Sequence, residues 1–179
     1  MSEKLEITRY DPAWPSMFSA ERDRLAAALG RLALRVDHNG STAVPGLSAK
    51  PIIDIQISVL RLQPIEAYAR QLTGLGYVHV PHPDDSFCLF FHRPAVWPHT
   101  HHVHVVEAGG VEERRTLAFR DYLREHPEAA REYEDLKRQL ASQHSAADFL
   151  ARQAYARAKT QFIAYVIERA FAEGHPRGL

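Results

Sequence analysis

The chain is poor in cysteine, and that excludes a disulfide framework: Cys88 is the single thiol among 179 residues, so no intrachain bridge can form. Net charge is missing too, because 22 Lys and Arg balance 22 Asp and Glu and the two signs are interleaved throughout. Without a basic block, long duplex nucleic acid is not an expected partner, since that binding rests on clustered cations; a local basic cleft stays open. No apolar run approaches bilayer length, so a membrane is not an expected partner either. Met1-Ser2-Glu3-Lys4 lacks the apolar core of a signal peptide, and a reducing cytoplasm is the expected location. In that setting Cys88, within Phe87-Cys88-Leu89-Phe90, reads as a buried thiol. Neither an internal repeat nor a low-complexity stretch is visible.

What is present is ordinary globular material, 45% hydrophobic and 25% charged, in a length that suits one domain over residues 1–179. Alternation and β-branched content predict strands at 5–9, 32–37, 51–59, 77–80, 87–92 and 101–107. Helical spacing predicts a helix after Pro15 that Gly30 ends, and another over 64–73 stopped by Gly74 and Gly76. Residues 81–85 and 94–99 read as loops. From Val111 onward the pattern is helical, with one helix ending near His126-Pro127 and a second carrying Ala129, Tyr133, Leu136 and Leu140. A helix-start box at Ser145 and Asp148 then precedes a long C-terminal helix from Phe149 to Gly174. Strands mostly first and helices after make this an α+β fold.

The chemistry concentrates in His38-Asn39-Gly40-Ser41-Thr42-Ala43-Val44-Pro45-Gly46-Leu47 and the Ile-rich strand that follows. A Gly-Ser turn offers backbone N–H groups and hydroxyls to a phosphate. Strand parity then sorts the side chains: Ile53, Ile55 and Ile57 share one face, and Asp54, Gln56 and Ser58 the other. On the later strand Val103 and Val105 separate from His102 and His104. If both aliphatic faces pack on helices, Asp54, Gln56, His102 and His104 converge on the opposite face. Carboxylate and imidazole together suit Mn²⁺ or Zn²⁺ better than Mg²⁺. The alternatives are a half-exposed strand with tolerated histidines, a solvated Asp54, and hydroxyls that only cap a short helix. His38, Gly40, Ser41, Thr42 and Lys50 are candidate phosphate or substrate contacts, and Arg120 and Lys159 are candidates that reach over from the helical half; ion-paired helix surface is the other reading of those two. His99 and His101 read as loop or opposite-face residues.

These blocks carry a resemblance. Tyr10-Asp11-Pro12-Ala13-Trp14-Pro15, the Gly-Ser turn, Ala49-Lys50-Pro51-Ile52-Ile53-Asp54-Ile55, His102-Val103-His104-Val105-Val106, Phe119-Arg120-Asp121-Tyr122-Leu123-Arg124, and Tyr155 with Lys159 resemble the GrpB family nearly end to end. That family of small bacterial proteins is placed within the nucleotidyltransferase superfamily. The resemblance implies a polymerase-β-like core, a short mixed sheet flanked by helices, with a helical C-terminal half. It implies nucleotide phosphates held at Gly40 and Ser41, with Asp54 as the first, catalytic carboxylate of a metal site. Gln56 stands where that superfamily has a second acid, and His102 or His104 where a third ligand is found. One divalent ion (Mn, Zn or Mg) on Asp54, Gln56, His102 and His104 is therefore the expected cofactor. A nucleotide or other phosphorylated small molecule is the expected partner. The implied activity is metal-dependent nucleotidyl transfer to an acceptor the sequence does not name. The alternatives are a non-catalytic nucleotide- or coenzyme-binding module and a metal-dependent phosphate-ester hydrolase. Some relatives are joined to dephospho-coenzyme A kinase in one polypeptide, which points toward coenzyme A or nucleotide metabolism.

Overall fold

Two central strands organise the molecule. In the computed structural model, which describes residues 6–81, 86–143 and 149–178, β2 (Ile53–Val59) and β5 (His101–Glu107) pair in parallel at the centre of a mixed five-stranded sheet. β1 (Arg35–Asn39) flanks β2 antiparallel, and β4 (Cys88–Arg93) and β3 (Val78–Val80) continue antiparallel beyond β5, giving the order β1-β2-β5-β4-β3. Ile53, Ile55, Ile57, Val103 and Val105 are fully buried on one face, packed with Leu25 and Leu29 of α1 (Trp14–Leu29) and Leu72 of α2 (Glu66–Gly74). Burying one such aliphatic side chain contributes about 1.5–3 kcal/mol, so this face fixes the strand register.

The helical half covers the other face. α3 (Val111–Glu125), α4 (Pro127–Gln143), α5 (Phe149–Ala158) and α6 (Thr160–Ala172) complete six α-helices among the described residues. Ala118, Tyr122, Leu123, Tyr133, Val166 and Ala170 form a second core among α3, α4 and α6, together with Val44 and Leu47 from the segment after the Gly-Ser turn. These helices stand off the polar side of the sheet and enclose a cavity.

Several elements differ from the sequence expectation. The first strand shrinks to a bridge between Thr8 and Ala49, with Leu5 outside the described residues. β1 starts at Arg35 rather than 32, because Gly30–Leu32 is a 3₁₀ turn closing α1. The long C-terminal helix is two helices, α5 and α6, divided at Lys159. Its halves serve different cores: Tyr155 packs with Leu140, whereas Val166 and Ala170 pack with Tyr122 and Tyr133. One straight helix cannot satisfy both. The expected Ser145–Asp148 start box, and 82–85 of the expected loop, lie outside the described residues.

Candidate phosphate-binding cavity

The sheet places its polar residues in rows. Asp54 lies opposite His102, and Gln56 opposite His104, in the β2–β5 register. Asn39 lies opposite Asp54 across β1–β2, and Phe90 opposite His104 across β4–β5. All of these line one cavity of about 820 Å³, so the structure brings Asp54, Gln56, His102 and His104 to a single face. Asp54 Oδ1 sits 3.3 Å from His102 Nδ1. Burial works to raise the Asp54 carboxyl, but His102, His104 and Lys159 outweigh it and hold the group below the usual carboxylate range. His104 is pushed down to about 4, chiefly by burial, and its Nδ1 lies 3.6 Å from Cys88 Sγ. Cys88 itself is half-buried on the cavity wall rather than in the core, because β4 parity puts it on the same side as Phe90.

The Gly-Ser turn approaches this face closely. Gly40 has φ 65° and ψ −167°, a conformation that favours glycine. A Cβ there would lie 2.9 Å from Asp54 Cβ and would overlap Asp54 Oδ2. Ser41–Ala43 then forms a 3₁₀ turn, and Ser41 Oγ accepts a hydrogen bond of 3.1 Å from Lys137 Nζ. Lys50 and Lys159 lie over the ring of Tyr155, 4.1 and 4.4 Å from its centroid. Neither ammonium has an ion-pair partner among the described residues. Burial, reinforced at Lys50 and Lys137 by the neighbouring Lys159, pushes Lys50 and Lys159 down to about 8 and Lys137 to about 7. Asp54 opposes the shift at all three. Three lysines therefore gather around the Asp54 carboxylate.

Two expected contacts lie elsewhere. His38 pairs with Ile55 across β1–β2, which turns its ring to the core face. It stacks on Phe18 at 4.6 Å and bonds Thr42 Oγ1 at 2.9 Å, and burial pushes it down to about 4. Arg120 is tied to the His38 carbonyl at 3.1 Å and to Asp121 at 2.7 Å, off the cavity wall. Gly40, Ser41, Thr42, Lys50 and Lys159 do line the cavity. So do Lys137, Tyr133 and Tyr155, which sequence reasoning did not assign to the site. A signal for Lys137 existed: it falls between Tyr133 and Leu140 at the i, i+4, i+7 spacing of a buried stripe, and it is only 2% exposed. His99, read as a loop residue, also lines the cavity; nothing local marks it, because it enters from the β4–β5 connection. His101 does face the other way, with Nδ1 3.1 Å from Arg93 Nη2.

The donor set does not fit the expected divalent ion as it is arranged. Gln56 Oε1 already accepts from Thr116 Oγ1 at 2.5 Å and Asn39 Nδ2 at 3.3 Å. His102 has Nδ1 against Asp54 and Nε2 3.1 Å from His99 Nδ1, so both ring nitrogens are engaged. Among the described residues no group of three or more His, Cys, Asp or Glu side chains is placed to hold a metal ion. No helix among the described residues is long and apolar enough to cross a membrane.

Known proteins share this plan. The family model described as GrpB protein matches residues 4–169. A UPF0157 protein of Pseudomonas aeruginosa is 38% identical over 173 residues, 95% of this chain and 69% of that protein. A UPF0157 protein of Halalkalibacterium halodurans is 39% identical over 170 residues, covering 94% of this chain and 83% of its own length. A protein named dephospho-CoA kinase from Mycolicibacterium paratuberculosis is 34% identical over 152 residues, 72% of this chain but only 37% of that enzyme. The crystal structure of GrpB from Enterococcus faecalis superposes with a TM-score of 0.82 at 34% identity, covering 94% of this chain and 98% of that one. Family model, relatives and solved fold agree, and the chain belongs to the GrpB family.

Proposed function

We propose that the cavity binds a nucleotide or a related phosphorylated small molecule by its phosphate groups. The observation that carries this reading is the gathering of Lys50, Lys137 and Lys159 around Asp54 beside the Gly40–Ser41 turn. Taking ammonium groups out of water without matching anions is costly, and an incoming phosphate supplies the missing negative charge. The rest of the wall suits an organic portion: Phe90, Trp97, Tyr133 and Phe149 present flat or apolar surface to the same space. The likeness to a dephospho-CoA kinase over 72% of the chain agrees with a nucleotide or coenzyme ligand. Binding without turnover is favoured over two-metal nucleotidyl transfer, because Gln56 and His102 spend their donor atoms on protein partners.

Titration calorimetry at neutral pH with ATP, dephospho-CoA, pyrophosphate and adenosine tests the reading. The phosphate compounds are expected to bind and adenosine to bind at least tenfold more weakly, a difference of about 1.4 kcal/mol. Adenosine binding as tightly as ATP, or no phosphate compound binding at millimolar concentration, removes the proposal. Chromatography of ATP after incubation with protein and Mn²⁺ separates the alternatives. Intact ATP is expected, whereas released pyrophosphate assigns transfer or hydrolysis instead.

A further inference from the structure

The face that carries Asp54 also carries a chain of imidazoles. Asp54 Oδ1 is 3.3 Å from His102 Nδ1, and His102 Nε2 is 3.1 Å from His99 Nδ1. A carboxylate only accepts, so a His102 ring that carries one proton holds it at Nδ1. The lone pair at His102 Nε2 then requires a donor, which makes His99 Nδ1 the protonated nitrogen of its ring. His99 is left with a lone pair at Nε2, an atom without a hydrogen-bond partner among the described residues. The ring cannot easily turn away. It stacks on His92 with centroids 3.8 Å apart and meets Trp97 edge-on at 5.2 Å. His92 is fixed in turn, its Nδ1 donating to the Pro94 carbonyl at 2.9 Å.

We propose that Asp54 and His102 orient His99 so that its Nε2 accepts a hydrogen bond from a hydroxyl or N–H group of the ligand in the cavity. This deepens the phosphate reading and rests on it only for the ligand's identity. Arg152 beside His99 donates, as do Lys50, Lys137, Lys159 and Arg115 elsewhere on the wall, while Asp54 and Glu112 accept, so His99 Nε2 adds an uncharged acceptor to a wall with more cations than carboxylates. Burial, with His92, His102 and Arg152 nearby, holds His99 down at about 4, so the lone pair persists at neutral pH. His99 is the contact residue; Asp54 and His102 are positioning residues.

Histidine-selective ¹⁵N labelling with long-range ¹H–¹⁵N correlation at about pH 8 reads each tautomer directly. The unmodified protein is expected to show Nδ1–H at both His99 and His102. Asp54→Ala is expected to lower the Nδ1–H to Nε2–H ratio at His99 at least tenfold, as the loss of a charge-assisted hydrogen bond would. Asp54→Asn, whose Oδ1 still accepts, is expected to restore it. His126, whose Nδ1 donates to the Tyr122 carbonyl at 2.9 Å, reports that the variants remain folded. Saturation with glycerol 3-phosphate is expected to move the His99 Nε2 resonance, and methyl phosphate, which has no donor at this pH, to leave it in place. Nε2–H at His99 in the unmodified protein, an unchanged ratio in folded Asp54→Ala, or an Nε2 resonance indifferent to both saturating phosphates overturns the inference. Amide shifts at Gly40, Ser41 and Thr42 report phosphate binding separately, so the two readings fail independently.

Discussion

At the scale of single residues, Gly40 and Lys137 carry the sharpest consequences. Gly40 is constrained twice, by its positive φ and by Asp54 against the position a Cβ would take. Gly40→Ala is expected to destabilise the protein by about 1–3 kcal/mol in urea unfolding, and to weaken pyrophosphate binding because Asp54 and the turn must separate. Lys137 behaves differently. It holds Ser41 Oγ and the Ser48 carbonyl, yet the residue is 2% exposed and its ammonium form is disfavoured by burial. Replacing it by Met removes two hydrogen bonds and also a desolvated charge, and these terms offset. Lys137→Met is therefore expected to shift unfolding free energy by less than about 1 kcal/mol while lowering pyrophosphate affinity at least tenfold. Calorimetry and urea melts on the same sample separate the two effects; a large stability loss with unchanged affinity contradicts the assignment.

At the scale of elements, the sheet was legible and the helical wall was not. Parity alone sorted Ile53, Ile55 and Ile57 from Asp54 and Gln56, because a strand has a fixed period of two and an aliphatic face can only go inward. The same rule, extended two residues past the expected end at Asp37 to the observed end at Asn39, turns His38 inward and Asn39 toward the cavity. The i, i+4, i+7 stripe marks Tyr133 and Lys137 as buried, but that they and Tyr155 meet over the polar face of the sheet is a docking geometry that no local period encodes. The break at Lys159 was hidden because neither Gly nor Pro marks it; two separate cores impose it. α5 is the element whose behaviour tests the cavity. It contributes Phe149, Arg152 and Tyr155 to the wall, yet Tyr155 is its one fully buried side chain. Few buried contacts mean a low local opening energy. Pyrophosphate drawn to Lys50 and Lys159, both against the Tyr155 ring, braces that side chain, so amide exchange in α5 is expected to slow several-fold on binding. Exchange in α2, which packs on the opposite face of the sheet, is expected to stay unchanged wherever it proceeds by local opening. Uniform slowing across both elements would point to global stabilisation without a site in this wall.

At the scale of the whole molecule, the buried bases set an unusual relation between stability and affinity. Burial holds His38, His99, His101 and His104 at about 4, against an ordinary histidine near 6.5. It holds Lys137 at about 7 and Lys50 and Lys159 at about 8, against an ordinary lysine near 10.4. In both windows the unfolded chain binds more protons than the folded one, so unfolding free energy rises with pH. Stability is expected to fall as pH drops from about 6.5 toward 4, and to climb again from about 7 to 10 as the lysine cost is relieved. Phosphate binding needs the ammonium forms, so its affinity runs the other way and declines above about pH 7. Urea unfolding and pyrophosphate calorimetry at matched pH values are therefore expected to give opposite slopes between pH 7 and 9. Lys137→Met is expected to flatten both, since it deletes the base that titrates first. Affinity that holds constant to pH 9 in the unmodified protein would show that the lysines do not carry the anion, and the proposed binding mode would fall with it.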